Sequence, residues 1–579
     1  MSLGKLVLAG SGTTEETDGD FPLVTGLYHF NNSNGAQNNT LLDSSSESHT
    51  VTRNADIVQG AFSPFSAEEG KWSAQFPVGE TTNKLKLSAS SDFAMGTGAF
   101  TIEAWVFVTA DNALYSRVWN IGPLWNSNDS VLCLVDDTAN SSKISFAVYA
   151  AGQSRVCVSQ NVTPHNEWVH IACVRDSSGN FKLFVNGNLD ATNTSYTSTN
   201  ISPGGNQTLT IGNIVETSVS EQAAGCFEGF ISNFRVIKGS ALYSSSFTPS
   251  TSPLTAVTNT KLLTCCSNRF RDKSTSAHRV APDASGVNHM TSTILPKVQP
   301  FSPFAPSSSY SAATKGGSGF FDQTSDCYFN VSDATDFDFG TGDYSVEMWV
   351  YPTTTFNTNW AMVFNTIGVN QYWAWTDGGG NSAAAGLSSY PSGNYSGSFD
   401  HMPNRFSWSH VVFQNTSGTE NWYINGVRVY NATNNPNFSA SATGVRVGLS
   451  PAYATQFFYG GYISDVRVLK GSNAYSNAST LTVPTAPLGS VTNTKLLTNF
   501  TNAAMFDQTG KTNADTIGNA QTSTAVTPKF GTASLYLDGT SDSLKLVNVI
   551  PIGTSPFTLE FFFRSNTTSL DNYYRRLYK

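Results

Sequence analysis

Apolar and polar residues alternate along most of the chain, and stretches with helical periodicity are scarce. A period of two is typical of β-strands, because successive side chains of a strand point to opposite faces of its sheet. The clearest strand spans 100–108, where Glu103 and Trp105 fall on the same face. Both faces are otherwise largely apolar, which predicts a central strand of a β-sandwich.

The strand at 100–108 recurs at 344–351 and at 557–563. A hairpin follows each of the first two copies and runs from a tryptophan to an Asn-Gly pair, at 168–187 and at 408–426. Asn-Gly predicts a tight hairpin turn, since both residues tolerate the positive φ angles of a type I′ turn. We therefore predict an all-β chain that repeats one domain.

Two other segments recur, since 234–240 returns at 466–472 and 257–264 returns at 491–498. The repeat is as long as a whole domain and far exceeds the roughly 20–50-residue unit of a solenoid. Serial copies of a domain favour a binding or structural protein over an enzyme. The predicted segments are an N-terminal arm at 1–20, a first sandwich at 21–258, a second at 259–492 and a partial third at 493–579.

The third copy carries the 557–563 strand but lacks the Trp/Asn-Gly hairpin and the strand that begins with Arg-Val. Half a sandwich leaves an open apolar edge. We expect either that the polypeptide continues past Lys579 or that another chain completes this fold.

Charge and hydropathy narrow the classes of partner. Charged residues make up 13% of the chain and the net charge is −9, with no stripe of lysine and arginine, so nucleic-acid binding is not expected. No segment approaches the roughly 20 apolar residues of a membrane span, and the first ten residues have too short an apolar core for a signal peptide. We therefore predict no membrane insertion.

The seven cysteines have no regular spacing and do not recur between the copies. A disulfide framework would be expected to recur with its domain, so we predict mostly buried free thiols in a protein assembled in a reducing cytoplasm.

The order of motifs resembles a known family. The segments Phe-Thr-Ile-Glu-Ala-Trp-Val at 100–106, Trp-Val-His-Ile-Ala-Cys-Val-Arg at 168–175, Leu-Phe-Val-Asn-Gly at 183–187 and Phe-Ile-Ser-Asn-Phe-Arg-Val at 230–236 resemble the concanavalin A-like, laminin-G-type jelly roll. The resemblance implies tandem concanavalin A-like (laminin-G-type) β-sandwich jelly rolls.

A narrower resemblance concerns the kind of particle to which the protein belongs. Arg-Val-Ile-Lys-Gly-Ser-Ala-Leu-Tyr at 235–243, with Phe-Thr-Pro at 247–249, is similar to the laminin-G-type repeats in structural proteins of tailed phages, especially marine, cyanophage-like ones. It implies a virion protein assembled in the bacterial host cytoplasm, either a tail fibre or a tail-associated adhesin that presents these domains for host-surface carbohydrate binding. The alternative is a capsid-decorating or tail-reinforcing protein without a ligand. The implied partners are other virion proteins, a host-surface glycan and further copies of the chain in a homo-oligomer.

A third possibility, an enzyme that degrades polysaccharide, is tested by the carboxylates. Glycoside hydrolases use paired carboxylates, whereas Glu103 and Glu347 each stand without a second carboxylate two positions along the strand. We predict no enzyme activity, no catalytic residue and no cofactor-binding residue. A buried carboxylate needs a partner, and arginines recur equally regularly, so we predict the structural ion pairs Glu103–Arg235 and Glu347–Arg467.

Two sets of histidines also recur. His170 and His410 follow a tryptophan by two residues and have no recurring nucleophile beside them, which favours structural histidines. His49 and His278 each lie six residues after an aspartate. Two ligands do not make a zinc site, and an aspartate that caps a turn is the preferred interpretation.

Clusters of acidic residues make calcium the one metal that the sequence keeps as a candidate ligand. Asp333, Asp336 and Asp338 lie close together in sequence, as do Asp136 and Asp137. Calcium takes six to eight oxygen ligands, so the sequence leaves the metal site unknown.

The pair Trp373 and Trp375 has the spacing of a sugar-stacking platform. Aligning the copies places these tryptophans opposite Leu132 and Leu134, which favours an inward face and core packing over sugar binding.

Overall fold

The computed structural model describes most of the chain between residues 24 and 565. The described residues are 24, 26–53, 57–77, 83–109, 115–122, 130–149, 153–201, 207–214, 225–284, 295–304, 310–323, 327–353, 360–376, 386–390, 394–398, 401–434, 437–438, 442–453, 457–507, 509–529, 531–547 and 556–565. The predicted N-terminal arm at 1–20 lies outside the described residues.

Strands dominate the fold. The segment before the first sandwich holds β1 (Val51–Arg53) and β2 (Val58–Gly60). The first sandwich holds β3 (Ser73–Phe76), β4 (Asn83–Ser90), β5 (Phe100–Val108), β6 (Ser116–Ile121), β7 (Ser130–Asp137), β8 (Lys143–Tyr149), β9 (Gln153–Val162), β10 (Trp168–Arg175), β11 (Phe181–Val185), β12 (Asn188–Asn193), β13 (Gln207–Ile211), β14 (Gly229–Lys238) and β15 (Thr260–Thr264).

The second half repeats the pattern. A connecting segment carries β16 (Val280–Ala284) and β17 (Lys297–Gln299). The second sandwich holds β18 (Ser318–Asp322), β19 (Phe329–Val331), β20 (Tyr344–Pro352), β21 (Trp360–Ile367), β22 (Tyr372–Thr376), β23 (Gly386–Tyr390), β24 (Asn394–Tyr395), β25 (Ser409–Thr416), β26 (Thr419–Ile424), β27 (Val427–Thr433), β28 (Gly444–Val447), β29 (Gly460–Lys470) and β30 (Thr494–Thr498). The C-terminal part holds β31 (Asn513–Ile517), β32 (Gln521–Ser523), β33 (Ser534–Tyr536) and β34 (Ser543–Val547).

Helices are few and short. Within the described part they include the α-helix Ala312–Lys315 and the 3₁₀ turns Ser91–Phe93, Thr138–Asn140 and Pro451–Tyr453. The predicted all-β class is confirmed. Among the described residues, no helix has both the length and the apolar content that a membrane crossing requires.

Among the described residues, each sandwich packs a front sheet of eight strands against a back sheet of seven. The first front sheet has the order β12-β11-β10-β5-β14-β3-β17, with β15 also paired to β14, and the first back sheet has the order β16-β4-β13-β6-β7-β8-β9. The second front sheet has the order β2-β18-β29-β20-β25-β26-β27, with β30 also paired to β29, and the second back sheet has the order β1-β19-β28-β21-β22-β23-β24. The prediction that 100–108 is a central strand is confirmed, because β5 lies between β10 and β14.

The outer strands of each sandwich come from a neighbouring segment. In the first sandwich β16 pairs with β4 and β17 pairs with β3, so residues that follow the sandwich in sequence close both of its sheets. In the second sandwich the equivalent places are taken by β1, which pairs with β19, and by β2, which pairs with β18. The segment before the first sandwich therefore closes the second one, and Ile57 is fully buried in the second core.

A turn capped by an aspartate carboxylate recurs beside the added strands of each sandwich. The carboxylate of Asp272 accepts the backbone N–H groups of Ser274 and His278, and also that of Leu263 on β15. Asp43 does the same for Ser45 and His49, and its third donor is the Leu497 N–H, 454 residues away. The turn-capping role predicted for these two aspartates is confirmed.

The C-terminal part pairs with the beginning of the described chain. Asp507 caps a third such turn, and its carboxylate accepts the Leu27 N–H, which lies 480 residues away in sequence. The predicted strand at 557–563 is wrong for this structure, in which 556–565 has no regular secondary structure and is exposed. The physical reason is that a central strand needs a neighbour on each side, and the described C-terminal strands pair with one another as β31-β34 and β32-β33.

Candidate functional site

The recurring glutamate of the first sandwich lies at the centre of a buried polar cluster. Cross-strand pairing places Glu103 opposite Arg235 on β14. The Arg235 Nε and Nη2 atoms donate to Glu103 Oε1 at 2.9 and 2.6 Å, and Nη1 donates to the Thr255 carbonyl. His170 Nε2 lies 3.1 Å from Oε2, and the Tyr243 hydroxyl donates to Oε2 at 2.9 Å.

The second sandwich repeats the cluster atom for atom. Arg467 Nε and Nη2 lie 2.7 and 2.5 Å from Glu347 Oε1, and Arg467 Nη1 donates to the Gly489 carbonyl. His410 Nε2 lies 3.1 Å from Glu347 Oε2, and the Tyr475 hydroxyl donates to it at 2.7 Å. Sequence reasoning missed the two tyrosines, although each follows a recurring Gly-Ser pair by three residues.

The electrostatics keep both glutamates ionised. Burial alone raises the pKa of Glu103, but the contacts with His170 and Arg235 outweigh it and hold that pKa below its usual value. The pKa of Glu347 is lowered against burial in the same way, by His410 and Arg467. Every carboxylate oxygen already has a close partner, so neither group has the exposed, raised-pKa form that a general acid requires.

The acidic cluster at His49, Asp333 and Asp336 has ligand atoms within 4.8 Å of one another. Asp336 already has internal partners, because Lys495 Nζ lies 2.9 Å from Oδ1 and His49 Nε2 lies 3.2 Å from Oδ2. The cluster thus links the N-terminal segment, through His49, to Asp336 and to Lys495 of β30 within the second sandwich.

The first sandwich carries the same arrangement. Asp92 contacts Lys261 Nζ and His278 Nε2, each at 3.1 Å. The other acidic pair is also engaged, since Asp136 Oδ1 lies 2.9 Å from His165 Nε2 and the Ser145 hydroxyl donates to Asp137 Oδ2 at 2.6 Å. The recurrence of the Asp–Lys–His set favours a structural role.

Trp373 and Trp375 are fully buried in the second core, so the prediction of core packing is confirmed. The alignment that led to it was shifted by one residue. The cross-strand partners show that Trp373 corresponds to Cys133, which faces the first core, rather than to Leu132. Leu132 and Leu134 pack in a small cluster on the other face, as expected because a one-residue slip reverses every side chain of a strand.

The cysteines are as predicted, because all seven are free and buried.

An aromatic pocket of about 380 Å³ opens on the outer face of the first front sheet. Its lining residues have no ionisable side chain, and they are Trp105, Trp168, Asn186, Pro249, Ser250, Thr251, Pro303 and Phe304. Trp105 and Trp168 are half-buried. The ring of Trp105 meets those of His170 and Phe304 edge-on, with centroids 5.2 and 6.0 Å apart. We name this set the aromatic pocket.

The corresponding place on the second sandwich is filled. A second copy of the tetrapeptide Phe-Ser-Pro-Phe, at 62–65 rather than 301–304, brings Phe65 against Trp349 with ring centroids 5.6 Å apart. The Arg269 guanidinium lies 5.7 Å from the centre of the Trp349 ring, and its Nη1 donates to Asn425 Oδ1 at 3.4 Å. Trp349 is consequently only 1% exposed. Sequence reasoning missed the aromatic pocket, although the recurring tetrapeptide was a signal for it.

Comparison with known structures yields several distant likenesses. Domains LG4-5 of the mouse laminin alpha1 chain share 11% identity with a TM-score of 0.24, covering 68% of this chain and 88% of that one. A putative carbohydrate binding protein from Bacteroides ovatus shares 15% identity with a TM-score of 0.27, covering 38% and 61%. The CBM40 of the Ruminococcus gnavus IT-sialidase shares 17% identity with a TM-score of 0.21, covering 28% and 89%. Comparison with curated proteins gives no match.

The family is established by a sequence model rather than by these likenesses. The laminin G-like model described as the concanavalin A-like lectin/glucanases superfamily matches residues 79–242 and 323–473, one segment in each sandwich. Together the two segments make up more than half of the 579 residues. The chain therefore belongs to the concanavalin A-like lectin/glucanase superfamily, as a protein with two laminin G-like domains.

Proposed function

We propose that this chain is a non-enzymatic virion protein of a tailed phage, a tail fibre or tail-associated adhesin that presents laminin G-like sandwiches to carbohydrate on the host surface. The family supports a binding role. The similarity of 235–249 to repeats of phage structural proteins supports the virion setting. Other virion proteins and further copies of the chain are its proposed partners, and the binding role needs no cofactor.

One observation carries the choice of binding over hydrolysis. Glu103 and Glu347, the carboxylates that recur on the central strands, are 1% and 0% exposed and fully engaged by arginine, histidine and tyrosine. A glycosidase needs two carboxyl groups that flank a bound sugar. The aromatic pocket on the first front sheet is instead lined by aromatic and neutral groups, which suits stacking on a sugar ring and hydrogen bonds to its hydroxyls.

Competition for host adsorption tests this role. Purified chain added to host cells before the phage should occupy the receptor and lower the adsorption rate constant in a dose-dependent way. Unchanged adsorption at saturating chain would contradict the adhesin role.

A second candidate is a capsid-decorating or tail-reinforcing protein without a ligand. The observation in its favour is the closure of the second sandwich by β1 and β2, which holds distant parts of the chain together. This role requires normal adsorption and fragile particles when the protein is missing, whereas the adhesin role requires intact particles that fail to adsorb.

A further inference from the structure

We propose that the aromatic pocket is a glycan subsite specific to the first sandwich, and that it takes a neutral pyranose. The apolar face of the sugar stacks on Trp105, and one of its hydroxyls donates to Asn186 Oδ1. This inference rests on the proposed function and deepens it by naming the site and the class of sugar.

The tryptophan rings of the pocket are preorganised by the side chains packed beneath them. Trp168 meets Phe107 and Phe301 with ring centroids 5.5 and 5.0 Å apart, and Phe301 belongs to the tetrapeptide that also supplies Phe304. Trp105 is flanked by His170, whose Nε2 lies against the buried Glu103. Rings fixed in this way lose little side-chain entropy when a ligand binds.

The second sandwich shows which two contacts such a place offers to a group that fills it, the face of the tryptophan ring and the asparagine Oδ1 acceptor. Asn425 Oδ1 accepts the His410 N–H at 3.0 Å and also the Arg269 Nη1, while the arginine lies over the tryptophan. Asn186 Oδ1 accepts the His170 N–H at 2.9 Å in the same manner. A carbonyl oxygen has two lone pairs, so Asn186 Oδ1, which lines the pocket, can accept a second donor as Asn425 Oδ1 does from Arg269.

The lining of the open pocket suits a neutral ligand with hydroxyl groups. It offers no carboxylate for a cation and no basic group for an anion, whereas the Ser250 and Thr251 hydroxyls add neutral partners at the exposed rim. The volume falls within the roughly 300–1,000 Å³ of ligand pockets.

Two phenylalanines provide a matched pair of variants. Phe304 lines the open pocket and Phe65 is its counterpart in the second sandwich, and their exposures are 6% and 7%. Phe304→Ala removes one wall of the pocket, whereas Phe65→Ala removes a comparable ring where no pocket is open. Trp105→Phe shortens the stacking surface while it keeps an aromatic ring, and it serves if Phe304→Ala does not fold.

The test is calorimetric titration of the full chain with cellotriose, maltotriose and mannotriose, with sialyllactose as the acidic probe and N-acetylarginine amide as the cationic probe. We expect at least one neutral trisaccharide to bind with one site per chain. Phe304→Ala or Trp105→Phe should weaken that binding at least tenfold, and Phe65→Ala should leave it unchanged.

Three results would overturn the inference and leave the proposed function standing. In the first, a neutral sugar binds equally well to the wild type, Phe304→Ala and Trp105→Phe. In the second, the chain is retained on the host-surface polysaccharide but binds no neutral trisaccharide. In the third, the chain binds sialyllactose or the arginine amide, and Phe304→Ala abolishes that binding. Failure of the wild-type chain to bind either the polysaccharide or any probe would instead refute the proposed function itself.

Discussion

Replacing Arg467 by methionine should leave the buried carboxylate of Glu347 without its charged partner in the second sandwich. Glu347 is fully buried and takes three hydrogen-bonding partners, of which Arg467 is the only one that is always charged. Methionine keeps much of the side-chain volume of arginine but removes the donors to Glu347 and to the Gly489 carbonyl.

Breaking a buried ion pair by removing one partner costs about 3–5 kcal/mol, because the remaining charge is left without compensation. That cost lowers the equilibrium constant for folding about 150- to 5,000-fold. His410 and Tyr475 still contact the carboxylate in the variant, so we expect the lower half of this range.

The effect has a defined pH dependence. The pKa of Glu347 is lowered in the folded protein, so the pair stabilises it above the unfolded pKa of about 4.3, and this contribution is lost as the pH falls through the folded value. Without Arg467, burial is opposed less and the pKa of Glu347 rises. The difference in stability between wild type and variant is therefore full near pH 7 and shrinks at low pH.

Urea unfolding followed by hydrogen exchange and mass spectrometry reports the stability of each sandwich separately. The double variant Glu347→Gln/Arg467→Met is the control, since it also removes the stranded charge and should recover part of the loss. A loss below about 1 kcal/mol, or one that is the same at pH 4 and pH 7, would show that Arg467 does not compensate a buried charge on Glu347.

Two other predictions follow from the packing. Ile57→Ala should lower the free energy of unfolding by about 2–5 kcal/mol, because Ile57 is buried in the second core although it precedes the first sandwich. Hydrogen exchange should show lower protection of β18 and β19 and unchanged protection of β3 and β4. An equal loss in both sandwiches would contradict the closure of the second sandwich by β1 and β2. All seven cysteines are buried, and burial raises the pKa of Cys157 and Cys226 to about 12, so iodoacetamide at pH 8 should label them only in denaturant, and rapid labelling of the folded chain would contradict this.

The sequence was sufficient where a signal recurred in both copies. Glu103 and Arg235 recur together as Glu347 and Arg467, and the structure places the two members of each pair opposite one another on neighbouring strands. Period two placed β5 correctly at the centre of its sheet. Local alternation carries this information because it reflects the burial of alternate side chains.

Long-range pairing was beyond the sequence pattern. The strand β2 has the same local character whichever sandwich it closes, so alternation does not reveal that it pairs with β18. The one-residue error at Trp373 has a similar origin, because both faces of β7 are apolar and a shifted alignment fits nearly as well. The exposed segment 556–565 resembles a strand in composition, but a strand exists only with its partners.

Incubation of the purified chain with polysaccharide from the host surface tests the central claim, that this protein binds carbohydrate without cleaving it. Co-sedimentation reports binding, and an assay of reducing ends reports hydrolysis in the same sample. We expect the chain to be retained on the polymer and the reducing ends to stay at the level of the buffer control. A rise in reducing ends that Glu103→Gln or Glu347→Gln abolishes, or a chain that is not retained at all, would contradict it.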